Sequence, residues 1–165
     1  MTPQTPNAGL PEGLICRTFR REESTQDFEL AMQVRTQVFV SEQRVPLDEE
    51  QDEYDDEAIH WLIVDTTLQQ PVATGRLVSY QEGCQMRPVA KIGRIAVCKP
   101  FRGQRLGAWL MREILHAANL EGFDQAILDA QTHAIPFYQT LGFLPEGDEF
   151  MDANIPHYRM RLVFS

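Results

Sequence analysis

The stretch Arg94-Ile-Ala-Val-Cys-Lys-Pro-Phe-Arg-Gly-Gln-Arg-Leu-Gly-Ala-Trp-Leu-Met111 constrains this chain more than any other. Ile95, Ala96 and Val97 close an apolar strand, Pro100 stops it, and a short basic loop opens directly into a helix. A strand that passes to a helix this quickly packs against it, the arrangement of α/β architecture. The same layout builds an anion site. The first turn of a helix leaves backbone N–H groups without partners and carries the positive end of the helix dipole. Arg102 and Arg105 add fixed charge, and Gly103 and Gly107 let the backbone approach a ligand closely, with Gln104, Leu106 and Ala108 lining the turn. A phosphate-bearing ligand suits that loop. The competing reading is an ordinary connection with two solvated arginines.

Periodicity extends the α/β pattern along the chain. Leu14–Phe19 reads as a strand. Ser24 can cap a helix, with Asp27 three residues on, and Phe28, Met32, Arg35 and Phe39 then recur at helical spacing. Arg35 on that apolar stripe must be paired or reach outward. Ile59–Thr66, Val72–Tyr80 and Val89–Cys98 read as strands. Leu106, Leu110, Ile114 and Ala117 form the inner stripe of a helix ending near Gly122. Gln125–Gln131 is a fifth strand, Pro136 suits the first turn of another helix closed by Gly142, and Tyr158–Phe164 is a last strand. The order β-α-β-β-β-α-β-α-β predicts α/β with a mixed sheet. Residues 14–165 form one domain, and residues 1–13 read as a flexible N-terminal segment.

Charge is concentrated. Asp48–Glu57 holds eight of the 24 acidic residues and none of the 15 basic ones, so outside it the formal charge of −9 shrinks to −1. The window is either a solvated connector or a local device for attracting a cation. An acidic chain without a basic stripe does not favour nucleic acid or anionic membrane, so neither is expected as a partner. Three cysteines without metal-ligand spacing fit reduced thiols, the four histidines form no metal motif, and nothing in Met1–Gly9 reads as a signal peptide. The expectation is a cytoplasmic protein with no metal site.

The basic loop resembles the acyl-CoA-binding segment of the GNAT superfamily of N-acetyltransferases, Gln/Arg-x-x-Gly-x-Gly/Ala. Arg102 and Gly107 match its ends, and Arg105 stands where its inner glycine usually is. Gln131-Thr-His-Ala-Ile-Pro-Phe-Tyr-Gln-Thr-Leu-Gly-Phe143 is similar to a second segment of that family, Asn-x-x-Ala-x-x-Phe-Tyr-x-x-x-Gly-Phe. Arg35 to Pro46, then Glu50, Asp52, Asp55, Asp56 and His60, with Gly147…Phe150…Ile155-Pro-His157 near the end, resemble a branch of small bacterial predicted acetyltransferases. The resemblance implies the GNAT fold, with a fourth and fifth strand that splay apart around the pantetheine arm. It also implies acetyl-CoA as co-substrate and an amine acceptor, with Gln131 and Phe137 among the cofactor-binding residues. GNAT proteins often dimerise through sheet edges, so a homodimer stays open.

Acetyl transfer to an amine needs a neutral nitrogen, a polarised thioester carbonyl and a proton for the departing thiolate. By the resemblance Tyr138 supplies that proton; a phenol near pKa 10 can protonate a thiolate of about 8.5. Backbone N–H groups over Ile95–Val97 can hold pantetheine and polarise the carbonyl. Many family members place a glutamate on the fourth strand, but Val89–Cys98 has no acidic residue. The base candidates are Glu42, His60 and His157, or water held by one of them. Cys98 reads as a buried small hydrophobe. Three classes stay open: an acetyl-CoA-dependent N-acetyltransferase, a CoA-binding regulatory module without turnover, and a protein-interaction domain using the acidic window. On the first, Glu50, Asp52, Asp55 and Asp56 would steer a cationic acceptor.

Overall fold

The computed structural model describes residues 7–165. Seven strands form one sheet in the order β1-β2-β3-β4-β5-β7-β6. Strands β1 (Leu14–Arg20), β2 (Ile59–Asp65), β3 (Gln70–Tyr80) and β4 (Val89–Val97) make an antiparallel meander. β4 then runs parallel to β5 (Gln125–Gln131), and β7 (Ile155–Val163) and β6 (Leu144–Asp152) complete the sheet antiparallel. The predicted mixed sheet is therefore present.

Both faces of the meander are covered, and strand alternation sorts the side chains between them. Trp61 and Ile63 face the large core with α3 (Leu106–Leu120), where Leu110, Met111 and Ile114 are fully buried. Leu62 and Val64 face α1 (Thr25–Arg35) through Phe28 and Ala31. Ser24 caps α1 as expected, its Oγ accepting from the Asp27 N–H at 3.2 Å. The helix continues through a wider π-helical stretch, Thr36–Glu42, and a four-residue α2 (Leu47–Glu50) follows. The inner stripe of α1 is Phe28, Ala31, Val34 and Arg35, with Met32 only half-buried.

Beyond Gly142 there are two strands where the pattern predicted one. Every residue of β6 is exposed, because it is an edge strand and packs no side chain into the core. Its hairpin to β7 turns on Ala153 and Asn154, both at positive φ (50° and 62°). Within the N-terminal segment, residues 1–6 lie outside the described residues. Residues 7–13 dock on the core: the Ala8 carbonyl accepts from Trp109 Nε1 at 2.8 Å, and Asn7 Oδ1 accepts from the Cys16 N–H. Among the described residues no helix is long and apolar enough to cross a membrane.

Candidate active site

The site begins with an irregularity in β4. Thr74 pairs with Ala96 and Arg76 with Gly93, so Arg94 and Ile95 together oppose Gly75 alone. This is a β-bulge, and Arg94 takes a positive φ of 54° to make it. Gly75 opposite it leaves room for the bulge: a Cβ there would lie 2.6 Å from Ile95 Cδ1 and 3.0 Å from Ile114 Cδ1, so those side-chain ends would have to shift. Beyond the bulge β4 stays paired to β3 through Val97, but it meets β5 only at Ala90↔Ala126 and Lys91↔Ile127. From Ile92 onward the two parallel strands part. The edge of β4 facing β5 is therefore free to hydrogen-bond a ligand.

A cleft of about 450 Å³ opens there, lined among others by Ile95, Gln131, Tyr138 and His157. Tyr138 comes from α4 (Ile135–Thr140), its ring edge-on to Phe137 at 5.0 Å and Phe143 at 6.2 Å. Burial pushes its phenol up to about 12, so it stays protonated across the physiological range. His157 lies on β7, stacked on Phe150, with Nδ1 2.7 Å from the Ile155 carbonyl oxygen. A carbonyl only accepts, so Nδ1 is the donor, and in the neutral ring Nε2 is left as the acceptor. Gln131 at the end of β5 donates to Gln43 Oε1 at 2.8 Å, tying β5 to the end of the π-helical stretch.

The basic loop follows the C-terminal end of β4, just past the bulge. Arg105, at φ 61°, precedes α3 in the left-handed conformation where a glycine would sit without strain. Gly103 is also left-handed (φ 86°), and a Cβ there would meet nothing within 4 Å, so the turn is open to a ligand. An added Cβ on Gly107 would come 3.8 Å from Phe137, which places α4 beside the first turn of α3. A diphosphate fits this turn by its backbone donors and open glycine. Arg102 is not waiting free: Nε donates to the Val97 carbonyl at 2.9 Å, and Nη2 pairs with Glu42 at 2.9 Å.

That pairing corrects one candidate base. Glu42 sits on the surface against Arg102, outside the cleft, because the π-helical stretch ends beside the basic loop. His60 is a second correction. It is 1% exposed, packed between Phe19 and Phe28, with Nε2 3.0 Å from the Asp55 carbonyl oxygen. Burial holds its pKa below the ordinary value, and it does not reach the cleft. Cys98 is buried beside Val34 and Val38, and burial raises its thiol pKa, which makes it a poor nucleophile.

The acidic window reaches the cleft through Glu49, Glu50 and Asp52, but the carboxylates expected to steer a cation are not free. Asp55 lies beneath Arg35 and Arg76, with Arg35 Nη1 at 2.6 Å and Arg76 Nη1 at 2.8 Å. Asp52 pairs with Arg76 at 2.7 Å and Arg94 at 3.2 Å, and Glu50 pairs with Arg35. Asp56 is held by Arg21. The four carboxylates expected to attract a cation are thus already matched by arginines from β3, β4, α1 and the β1–α1 turn. Arg35 on the apolar stripe, and Arg76 inside the otherwise uncharged run Val72–Tyr80, were the sequence signals of this network. Lys91 and Asp129, both lining the cleft, carried no such signal.

A bulged β4, a parallel neighbour that parts from it, and an open basic turn before a helix are the parts of a CoA-dependent acyltransferase. The family described as Acetyltransferase (GNAT) domain matches residues 35–164, and the chain belongs to that family. YjcF of Bacillus subtilis, an uncharacterized N-acetyltransferase, is 38% identical over 86% of this chain and 94% of its own. ElaA of Escherichia coli is 31% identical over 84% of this chain and 89% of its own. The crystal structure of an acyl-CoA N-acyltransferase from Pseudomonas aeruginosa superposes with a TM-score of 0.78 at 28% identity, covering 91% of this chain and 99% of that one. The protein is an acyltransferase whose family draws its acyl group from acyl-CoA.

Proposed function

We propose that the protein transfers an acetyl group from acetyl-CoA directly to a primary amine of a small-molecule or peptidic acceptor. One observation carries the reading: His157, its Nδ1 held by the Ile155 carbonyl, and Tyr138, with a protonated phenol, line the same cleft beside the open edge of β4. The bound thioester supplies an activated acyl carbon. Those backbone N–H groups of Ile95–Val97 that face the open edge of β4 hold and polarise its carbonyl. His157 Nε2 takes a proton from the acceptor nitrogen, and Tyr138 gives one to the departing sulfur. The turn Arg102–Gly107 with Ala108 binds the diphosphate, and Gln131 and Phe137 flank the pantetheine arm. The acetyl group rather than a longer chain is supported by the family's description and by YjcF.

The test is release of CoA thiol from acetyl-CoA against polyamines, aminoglycosides, amino sugars and lysine or N-terminal peptides. Acceptor-dependent release that exceeds the release from longer acyl-CoA donors is the expected result. Release unchanged by every amine would leave a CoA-binding module without turnover.

A further inference from the structure

Arg94 is a long, charged residue in a backbone conformation that disfavours any side chain, at the bend where the acyl carbonyl would be polarised. Its guanidinium turns back to the acidic segment. Nε and Nη2 donate to the Glu50 carbonyl at 3.1 and 2.9 Å, and Nη2 also meets Asp52 Oδ2 at 3.2 Å. The same Glu50 carbonyl accepts from Arg35 Nη2 at 3.0 Å. Behind it, Arg76 from the facing strand β3 grips Asp52 and Asp55 together. Three arginines meet three carboxylates, so the cluster is neutral and presents little charge to a substrate.

We propose that Arg94 is a positioning residue, and that the Arg35–Glu50–Asp55–Arg76–Asp52 network behind it braces the β4 bulge. The inference rests on acyl transfer at that bulge. Donors aimed at a developing negative charge accelerate reaction only when they are fixed beforehand. A bulge is the weakest point of a strand, since two residues share one partner and the ladder is interrupted. Here the interruption lies between Arg76 and Arg94, both anchored in one set of carboxylates, so the two strands are tied where their backbone pairing fails. Glu50 supports the reading. It is 1% exposed, yet its Oε2 has no hydrogen-bond partner among the described residues. A cluster serving stability alone would not hold a buried, unmatched carboxylate oxygen.

The test compares Arg94→Lys, Arg94→Gly and Asp52→Asn with the unaltered protein, well below each melting temperature. Backbone hydrogen exchange is read over residues 92–97, with β2 and β7 as internal references. Arg94→Gly removes the brace yet permits the positive φ, which separates strain from bracing. The brace predicts exchange at least about tenfold faster over 92–97 in all three variants, with the reference strands unchanged. It also predicts kcat about 10- to 100-fold lower, with the KM for acetyl-CoA little altered. Exchange that rises equally in every strand would reduce the network to ordinary stabilisation and overturn the proposal. So would full kcat in Arg94→Gly, or a raised KM for spermidine at unchanged kcat in Asp52→Asn. If the unaltered protein acylates no amine, the acyl-transfer reading fails by itself and the exchange pattern still decides the brace.

Discussion

The proton-donor role proposed for Tyr138 can be tested by removing one atom's function. Tyr138→Phe keeps the ring packed against Phe137 and Phe143 and deletes only the hydroxyl. It should lower kcat by roughly 10²–10⁴ while CoA affinity holds, measured by steady-state kinetics and calorimetry. Arg102 gives a different kind of test, because Glu42 already occupies its guanidinium. If it serves the diphosphate, Arg102→Ala should weaken CoA binding roughly ten- to hundredfold. Glu42→Ala, which frees the guanidinium, should leave that affinity equal or tighter. Calorimetric affinity unchanged by Arg102→Ala would assign the arginine to the surface pair alone. At this scale Tyr138, Gln131 and His157 were legible in the sequence and do line the cleft. Glu42 and His60 misled, because a polar residue near a motif says nothing about which way its side chain is drawn. Glu42 was drawn to a neighbouring arginine, and His60 into an aromatic sandwich.

Among the elements, the β3–β4 pair carries the most consequence. Gly75 is flat against the Cδ1 ends of Ile95 on the bulge and Ile114 on α3, so Gly75→Ala must shift those side chains. Overpacking of this kind costs about 1–3 kcal/mol. Because Ile95 is the neighbour that moves, activity should fall by more than the lost stability explains. Melting temperature and kcat measured on the same variant check this; a fall in melting temperature with full kcat would refute it. The meander, α3 and β5 were all readable from periodicity, since each buries an apolar face of regular spacing. The bulge and β6 were not. A bulge is a difference in register between two strands, which neither strand's pattern contains, and β6 packs no side chain that would give it a pattern.

For the whole molecule, the buried ion network couples stability to acid. Asp55 has its carboxyl held near 2, below the ordinary 3.8, by Arg35 and Arg76 outweighing the opposite effect of burial. A depressed folded value means the unfolded chain takes up the proton first as pH falls. The stability Asp55 contributes is therefore complete above the ordinary carboxyl range and is lost as pH drops from about 4 toward 2. Urea midpoints followed from pH 6 to pH 2 should show the unaltered protein falling steeply over that window, with Asp55→Asn less stable at neutral pH and flatter. Parallel curves would mean that another carboxylate carries the acid dependence.

By itself the sequence determined the alternation of strands and helices, the basic turn before α3 and the family, because these are local properties of spacing and residue type. It also showed that Arg35 had either to pair or to reach outward, since a charge on a buried stripe cannot stand alone. Tertiary structure decided what became of the acidic window. Eight carboxylates in ten residues read as a surface, and only the approach of α1, β3 and β4 turned Glu50, Asp52 and Asp55 inward onto three arginines. Those partners lie up to 44 residues away along the chain, and no local pattern encodes which opposite charges will meet.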